Sequence, residues 1–284
     1  MTILPGQPIT PPDAPSSPPE PPHRHQREPK AGMSKRTIAA IVAGALALGG
    51  GGAWFMLRSS GGSTPAVAAP VHHPVTPGKL PAPHTRAAAL KVATRVFAVL
   101  PAKLPGWQVD GKPELAGSDS SDPVSRAVSR CLAGIGRTGI AVDSAGYFRR
   151  TAAPTYMAVS AMLGFVPSAA RAASDIAVLR QPTAQHCIAK LMVGRTVSMG
   201  AGAALTFTSM KPLRVPGKAV SWEFDGRIDS NVIGGQSVRV VMLAKADRAT
   251  EVFLTSTGLG AALPLATDLR LLTAVVVRAH ALVA

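Results

Sequence analysis

From residue 85 to the end of the chain, the apolar positions switch between two periods. Ala89, Val92, Ala93, Val96, Phe97 and Leu100 recur at the spacing of one helix face, as do Val124, Ala127, Val128, Cys131 and Leu132. Ala169, Ala172, Ala173, Ile176 and Ala177 repeat the pattern, and after Pro182 so do Ala184, Cys187, Ile188, Leu191 and Met192. A final helix is expected over about Leu263 to Leu282, apolar on a wide face and well buried.

Between these helices the period falls to two. In "AVSWEFDG" the side chains of Val220, Trp222 and Phe224 point one way, and those of Ser221, Glu223 and Asp225 the other. "QSVRVVMLAK" and "ATEVFLTST" read as a hairpin joined through Asp247 and Arg248, with "GAALTFTSM" before them. "AVDSAGYFRR" and "TYMAVSAML" make an earlier pair joined near Pro154. Consecutive strands with short connections favour antiparallel pairing. The expected fold is α+β, an antiparallel sheet of about six strands with helices packed on it.

The first 84 residues follow other rules. Residues 1–36 hold ten prolines before residue 30, too few apolar groups for a core, and are expected to be a disordered cytoplasmic tail. Its Pro-x-x-Pro spacings suit a polyproline reader, although a plain solvated tail explains them as well. Thr37 to Leu57 is 21 residues without a charged, His, Asn or Gln side chain. As a helix it would be about 31 Å long, close to a bilayer's hydrocarbon thickness. Four glycines, Gly49 to Gly52, lie inside it and in water would each cost about 1 kcal/mol relative to alanine. In lipid the helix is the available way to satisfy the backbone, so residues 37–57 are expected to be a transmembrane helix. Trp54 and Phe55 suit its interfacial end. Ala45, Gly49 and Ala53 share one face at four-residue intervals, a pattern compatible with helix–helix contact and self-association, or with an Ala/Gly-rich span that has no partner.

Charge sets the orientation. Arg24, Arg27, Lys30, Lys35 and Arg36 precede the span, and only Arg58 and Lys79 follow closely, which places the N-terminus in the cytoplasm and the bulk of the chain outside. A cleaved signal peptide ending at "AVA", Ala66 to Ala68, is the rival. Residues 58–84 are a Pro/Gly/Ala linker, and residues 85–284 form one extracytoplasmic domain. His72, His73 and His84 on the tether lack supporting partners, so no metal or other cofactor is expected.

Net charge is +15, with 24 Lys and Arg against 12 Asp and Glu over residues 59–284. That surplus favours an anionic partner, and the outside address argues against nucleic acid. Arg137, Arg149 and Arg150 are the candidates for an anionic groove. Cys131 and Cys187 sit in the apolar seams of two helices in an oxidising compartment, so a disulfide is expected, with two buried free thiols or a reactive thiol as the alternatives. "GIGRTG", Gly134 to Gly139, follows a helix and precedes a strand, the reverse of a dinucleotide-binding context. His186 neighbours Cys187, but adjacent helical residues face apart. His280 reads as a surface or core-edge residue, and Glu223 with Asp225 as an ordinary pair of surface carboxylates. No catalytic set assembles, and the chain is not expected to be an enzyme.

Several short motifs carry a resemblance. A first helix leading into "LPGWQ" (Leu104 to Gln108), a helix carrying "CLAGIG" from Cys131, a second cysteine in a later helix, and terminal strands closed by a helix are similar to the extracytoplasmic domains of actinobacterial single-pass proteins and lipoproteins. That group includes the sensor domains of mycobacterial receptor Ser/Thr kinases and is similar in layout to Mog1/PsbP-like sandwiches. The resemblance implies binding or sensing, not catalysis. It departs in that those kinase sensors carry two disulfides and this chain has cysteines for one, and 36 residues ahead of the span are too few for a kinase. The expectation is a plasma-membrane-anchored sensor-type domain with a groove between sheet and helices, taking an anionic or amphiphilic envelope lipid or glycan. The alternative is an accessory subunit that works through protein contacts.

Overall fold

The computed structural model describes residues 82–116, 131–132, 139–150, 155–200, 203–230 and 235–283. The proposed membrane span, with Ala45, Gly49 and Ala53, lies outside them, as do the tail and nearly all of the linker. Among the described residues no helix is long and apolar enough to cross a membrane.

The chain begins with α1 (Arg86–Phe97), capped by Thr85, whose hydroxyl accepts from the Ala88 amide at 3.2 Å. The apolar repeat runs on to Leu100, but the helix breaks at Ala98 and resumes as α2 (Val99–Lys103). Pro101 has no amide hydrogen to continue the helical ladder, which accounts for a break there. Short strands β1 (Gln108–Asp110) and β2 (Glu114–Leu115) follow. Next come β3 (Ile140–Asp143), β4 (Gly146–Arg150) and the long β5 (Tyr156–Phe165). Helices α3 (Ala169–Arg180) and α4 (Pro182–Met192) precede β6 (Thr196–Gly200), β7 (Ala203–Pro212), β8 (Val220–Ser230), β9 (Gln236–Asp247) and β10 (Thr250–Leu259). The last element is α5 (Leu265–Leu282).

All the strand pairs are antiparallel, in the order β1-β4-β5-β10-β9-β8-β7-β6, with β3 sharing an edge of β5 with β4 and β2 pairing β3. β3 and β4 are one strand interrupted by a bulge. The partner of Asp143 is Met162 and that of Tyr147 is Val159, a one-residue slip, and the Ser144 hydroxyl accepts the Ala161 amide at 2.9 Å within it. Taken that way the sheet has nine strands. The six expected strands are all present. The three that the expectation lacked, β1, β2 and β6, are short edge strands of five residues or fewer, too brief to show an alternating pattern.

Helices cover both faces. α3 and α4 lie with Leu132 over Ala158, Phe207, Trp222, Phe224 and Phe253, whereas α1, α2 and α5 pack over Val159, Leu163, Val241, Leu243 and Leu254. β10, in the middle, is buried along its whole length. The disulfide forms, with Cys131 and Cys187 Cα atoms 5.6 Å apart. Both cysteines pack at the α3–α4 face, α4 carrying Cys187. In the chain-entropy model a loop of this length contributes about 4 kcal/mol.

One helix face differs from expectation. α3 buries Ala172, Asp175, Ile176 and Leu179, and leaves Ala169, Ala173 and Ala177 exposed. Alanines mark a face weakly, and the buried acid is admitted because Arg171 Nε bridges Asp175 at 3.0 Å. At the β9–β10 turn, Arg248 takes φ 49° and donates to the Val283 carbonyl at 2.8 Å, tying the hairpin to the end of α5. Its other nitrogen lies 3.2 Å from His280 Nε2, and since Arg can only donate, His280 accepts there and gives its Nδ1 hydrogen to Asp247 at 2.9 Å.

A close backbone approach occurs at Gly226, opposite a bulge in β7. A Cβ there would lie 2.7 Å from the Thr206 carbonyl oxygen and 3.2 Å from Phe207 Cα, both backbone atoms that cannot swing aside. Gly226→Ala is therefore expected to cost about 1–3 kcal/mol, read from the urea midpoint at unchanged slope.

Candidate functional site

Among the described residues, three places gather polar or concave surface. The first is made by strand register. Lys211 stands opposite Glu223, and Arg239 opposite Asp225, on the half of the sheet that α5 leaves uncovered. Lys211 Nζ reaches Glu223 at 2.7 Å and Asp225 at 3.8 Å, and Arg239 Nε reaches Asp225 at 3.1 Å and Glu223 at 3.4 Å. Ser209 donates to Asp225 at 3.1 Å. Glu223 raises the Lys211 pKa above the ordinary lysine value, chiefly through the hydrogen bond. Two acids and two bases here neutralise one another, so the carboxylates that strand alternation placed on one face are held as ion-pair partners. They are not an acid–base couple.

The second comprises two acids, Asp143 and Asp268, whose pKa values burial raises. Glu114 and Asp143 stand directly opposite each other in the β2–β3 pair. Burial, and then the Glu114 charge, push Asp143 up to about 6. Asp268, in the first turn of α5, is fully buried and accepts from Ser256 at 2.9 Å. Burial raises it to about 7, partly opposed by that hydrogen bond.

The third is a groove of about 790 Å³ on the outer side of the helical layer, between α2 and α5. On α5, Arg270, Thr273, Ala274, Val277, Arg278 and Ala281 follow one another at helical spacing, which lays them along one exposed stripe. Val99 and Lys103 of α2 form the opposing wall. Val277 is 62% exposed, one of two large apolar side chains so exposed among the described residues. Lys103, Arg270 and Arg278 stand on this surface, and no Asp or Glu lines it. Arg270 donates to Thr267 Oγ1 at 3.1 Å, and Arg278 Nε to the Arg95 carbonyl at 3.4 Å, so both guanidinium groups are anchored with further donors to spare. The volume lies within the range of small-molecule sites, and an apolar strip between cations suits a molecule with both an alkyl portion and a negative group.

Of the arginines singled out from sequence, Arg149 and Arg150 lie among the described residues. Arg137 lies outside the described residues. Arg149 is an exposed residue of β4 paired with Met157 and does not line the groove; Arg150 is the next residue of that strand. The groove itself is outside the helices, whereas the expectation put one between sheet and helices; among the described residues a small cavity of about 20 Å³ lies there beside Trp222. The signal that was present in the sequence is the outer stripe of the last helix, small and apolar residues bracketed by Arg270 and Arg278. It is masked there by the stronger inner stripe. His186 is exposed and Cys187 is in the disulfide, so no Cys–His dyad exists. His84 is exposed, and no metal-binding cluster occurs among the described residues.

Because Asp143 is raised in the folded chain, its contribution to stability is fully present below about pH 4 and is lost progressively as pH rises through about 6. A carboxyl NMR titration of the Glu114→Gln variant should show the Asp143 midpoint lowered but still above 3.8, because burial, the larger cause, remains. An unchanged midpoint would show that Glu114 plays no part.

No family model matches the chain, and no curated protein matches it. Among solved structures, the chain is similar to the extracellular domain of PknH from Mycobacterium tuberculosis, at 12% identity and a TM-score of 0.43, over 68% of this chain and 95% of that one. A likeness this remote carries no argument about ligand or activity.

Proposed function

We propose that the chain is a membrane-tethered, extracytoplasmic binding domain of sensor type, without catalytic activity, which takes an anionic amphiphile in the α2–α5 groove. The observation that carries this is the groove's composition: an apolar strip through Ala274 and Val277, three cations and no acid. Cations on a low-polarity wall attract an anionic headgroup, and the strip removes alkyl surface from water at about 25 cal/mol per Å². The disulfide supports the outside address, because such bonds persist in oxidising compartments. The uncharged run over residues 37–57 supports the tether.

A second reading, an accessory subunit docking a protein on the same stripe, is favoured by the exposure of Val277 alone. Native mass spectrometry of the chain from its own envelope separates the two by whether a lipid or a protein is retained.

The direct test uses the full chain in nanodiscs of zwitterionic lipid, titrated with dihexanoyl phosphatidylglycerol and with its phosphatidylcholine counterpart. The anionic lipid should bind at least about tenfold more tightly, a difference of about 1.4 kcal/mol. Changing Lys103, Arg270 and Arg278 together to Glu should abolish that preference. Equal binding of both lipids, or a preference that survives the triple change, contradicts the proposal.

A further inference from the structure

We propose that the contact between Asp268 and Ser256 is a proton-sensitive latch under the groove, so that acidification consolidates the site and alkaline conditions loosen it. This rests on the groove being the ligand site, and it concerns the regulation of that site.

The geometry is as follows. Asp268 belongs to the first turn of an 18-residue helix whose two sides do different work. Its carboxyl points inward onto the central strand and has no exposure. Ser256 is its single hydrogen-bond donor at 2.9 Å, and Oδ1 has no hydrogen-bond partner. Thr267, Leu269 and Arg270, the neighbours on either side of it, line the groove from the other sides of the same turns. Whatever displaces these turns therefore displaces a wall of the site.

Among the described residues, no ion pair offsets an ionised Asp268. On β10 it meets Ser256, whose cross-strand neighbours are Val159 of β5 and Val241 of β9. Along that face of β9 the charged positions are Arg239, already committed to Asp225 and Glu223, and, toward the other end, Lys245 and Asp247, the latter paired with His280 of α5. On β4, beyond Val159, stands Tyr147, buried and with its own pKa raised by burial, hence neutral. On α1 the charged residues Arg86, Lys91 and Arg95 are exposed, and so is Lys103 on α2. On α5 the nearest cation, Arg270, points out to Thr267.

Protonated, the carboxyl is a neutral group in a dry site, and the 2.9 Å contact can run in reverse, with Oδ2–H donating to Ser256 Oγ. Ionised, it is a buried charge with one neutral donor, and the cost is relieved when the first turns of α5 lift and admit water. The sign follows from linkage. The closed turn holds the proton up to about pH 7, whereas an opened, hydrated Asp268 loses it near 3.9. Opening therefore becomes easier throughout that interval and levels off above it. A ligand that needs the closed wall binds more tightly in acid and promotes proton uptake by Asp268.

The test is hydrogen exchange of the α5 amides at residues 266–272 in the full chain, corrected for intrinsic exchange, from pH 4.5 to 8.5. The opening equilibrium should rise by up to about tenfold per pH unit to about pH 7 and then plateau. In Asp268→Asn the same amides should show no such slope. Should that variant fail to fold, Ser256→Ala serves instead. It removes the bond that lowers the Asp268 pKa, so the plateau should move to higher pH. Dihexanoyl phosphatidylglycerol, whose headgroup does not titrate here, should bind the native chain more tightly at pH 5.5 than at pH 7.5 and Asp268→Asn equally at both. A flat native profile overturns the latch. A sloped profile with pH-independent binding overturns its link to the site, and no binding at either pH overturns the groove reading and leaves the latch as a stability device.

Discussion

The structure depends on β10 being closed off from water on both faces. Each of its ten residues is buried, which requires a helical layer on either side of the sheet and fixes which elements must pack where. α3 and α4 close one face and α1, α2 and α5 the other. A doubly covered strand usually reads as a continuous apolar run, yet this one carries Thr250, Glu251, Thr255, Ser256 and Thr257. Polar groups at such a position persist by partnership, and the Ser256–Asp268 contact is where the strand ties itself to the last helix.

α5 consequently has two sides with separate duties. Its inner side, Leu271, Leu272, Val275, Val276 and Ala279, is core. Its outer stripe is short-chained and open, with a cation near each end. Four acids of the sheet are engaged in ion pairs. Glu223 and Asp225 serve Lys211 and Arg239, Asp229 serves Arg227, and Asp247 serves His280. The positive surplus thus stays unopposed where acids are missing, and the α2–α5 groove is such a place. A net charge spread evenly along the sequence becomes a local one in the fold because strand register pairs some charges and leaves others alone.

How much of this was legible follows from side-chain size and element length. The alternation Val220–Trp222–Phe224 and the run from Val252 to Leu254 are strong signals, and those strands lie where the pattern puts them. The pairing of Cys131 with Cys187 was legible because the apolar spacing of the sequence puts both in the seams of expected helices, and the disulfide forms. Edge strands such as Glu114–Leu115 are too short to carry a period, and in α3 the competing alanines hid a face that turns on Leu179 and a paired Asp175. The site was less accessible than the fold. Arg149 and Arg150 drew attention as a dipeptide, but adjacent strand residues point to opposite sides, so doublets are poor markers of a shared surface. Arg270 and Arg278, eight positions apart, share a face. Lys103 joins them only through the docking of α2 on α5, a tertiary contact that no local pattern announces.

The central claim is that the outer side of α5, with α2, is the ligand-facing surface. It is tested most directly by amide chemical-shift mapping of the full chain as an anionic short-chain lipid is added. The account predicts perturbations confined to residues 270–281 and 99–103, saturating with a single affinity, while the Lys211–Glu223–Asp225–Arg239 face stays unmoved. Shifts concentrated on that sheet face, or none on α5 at saturating lipid, would contradict it.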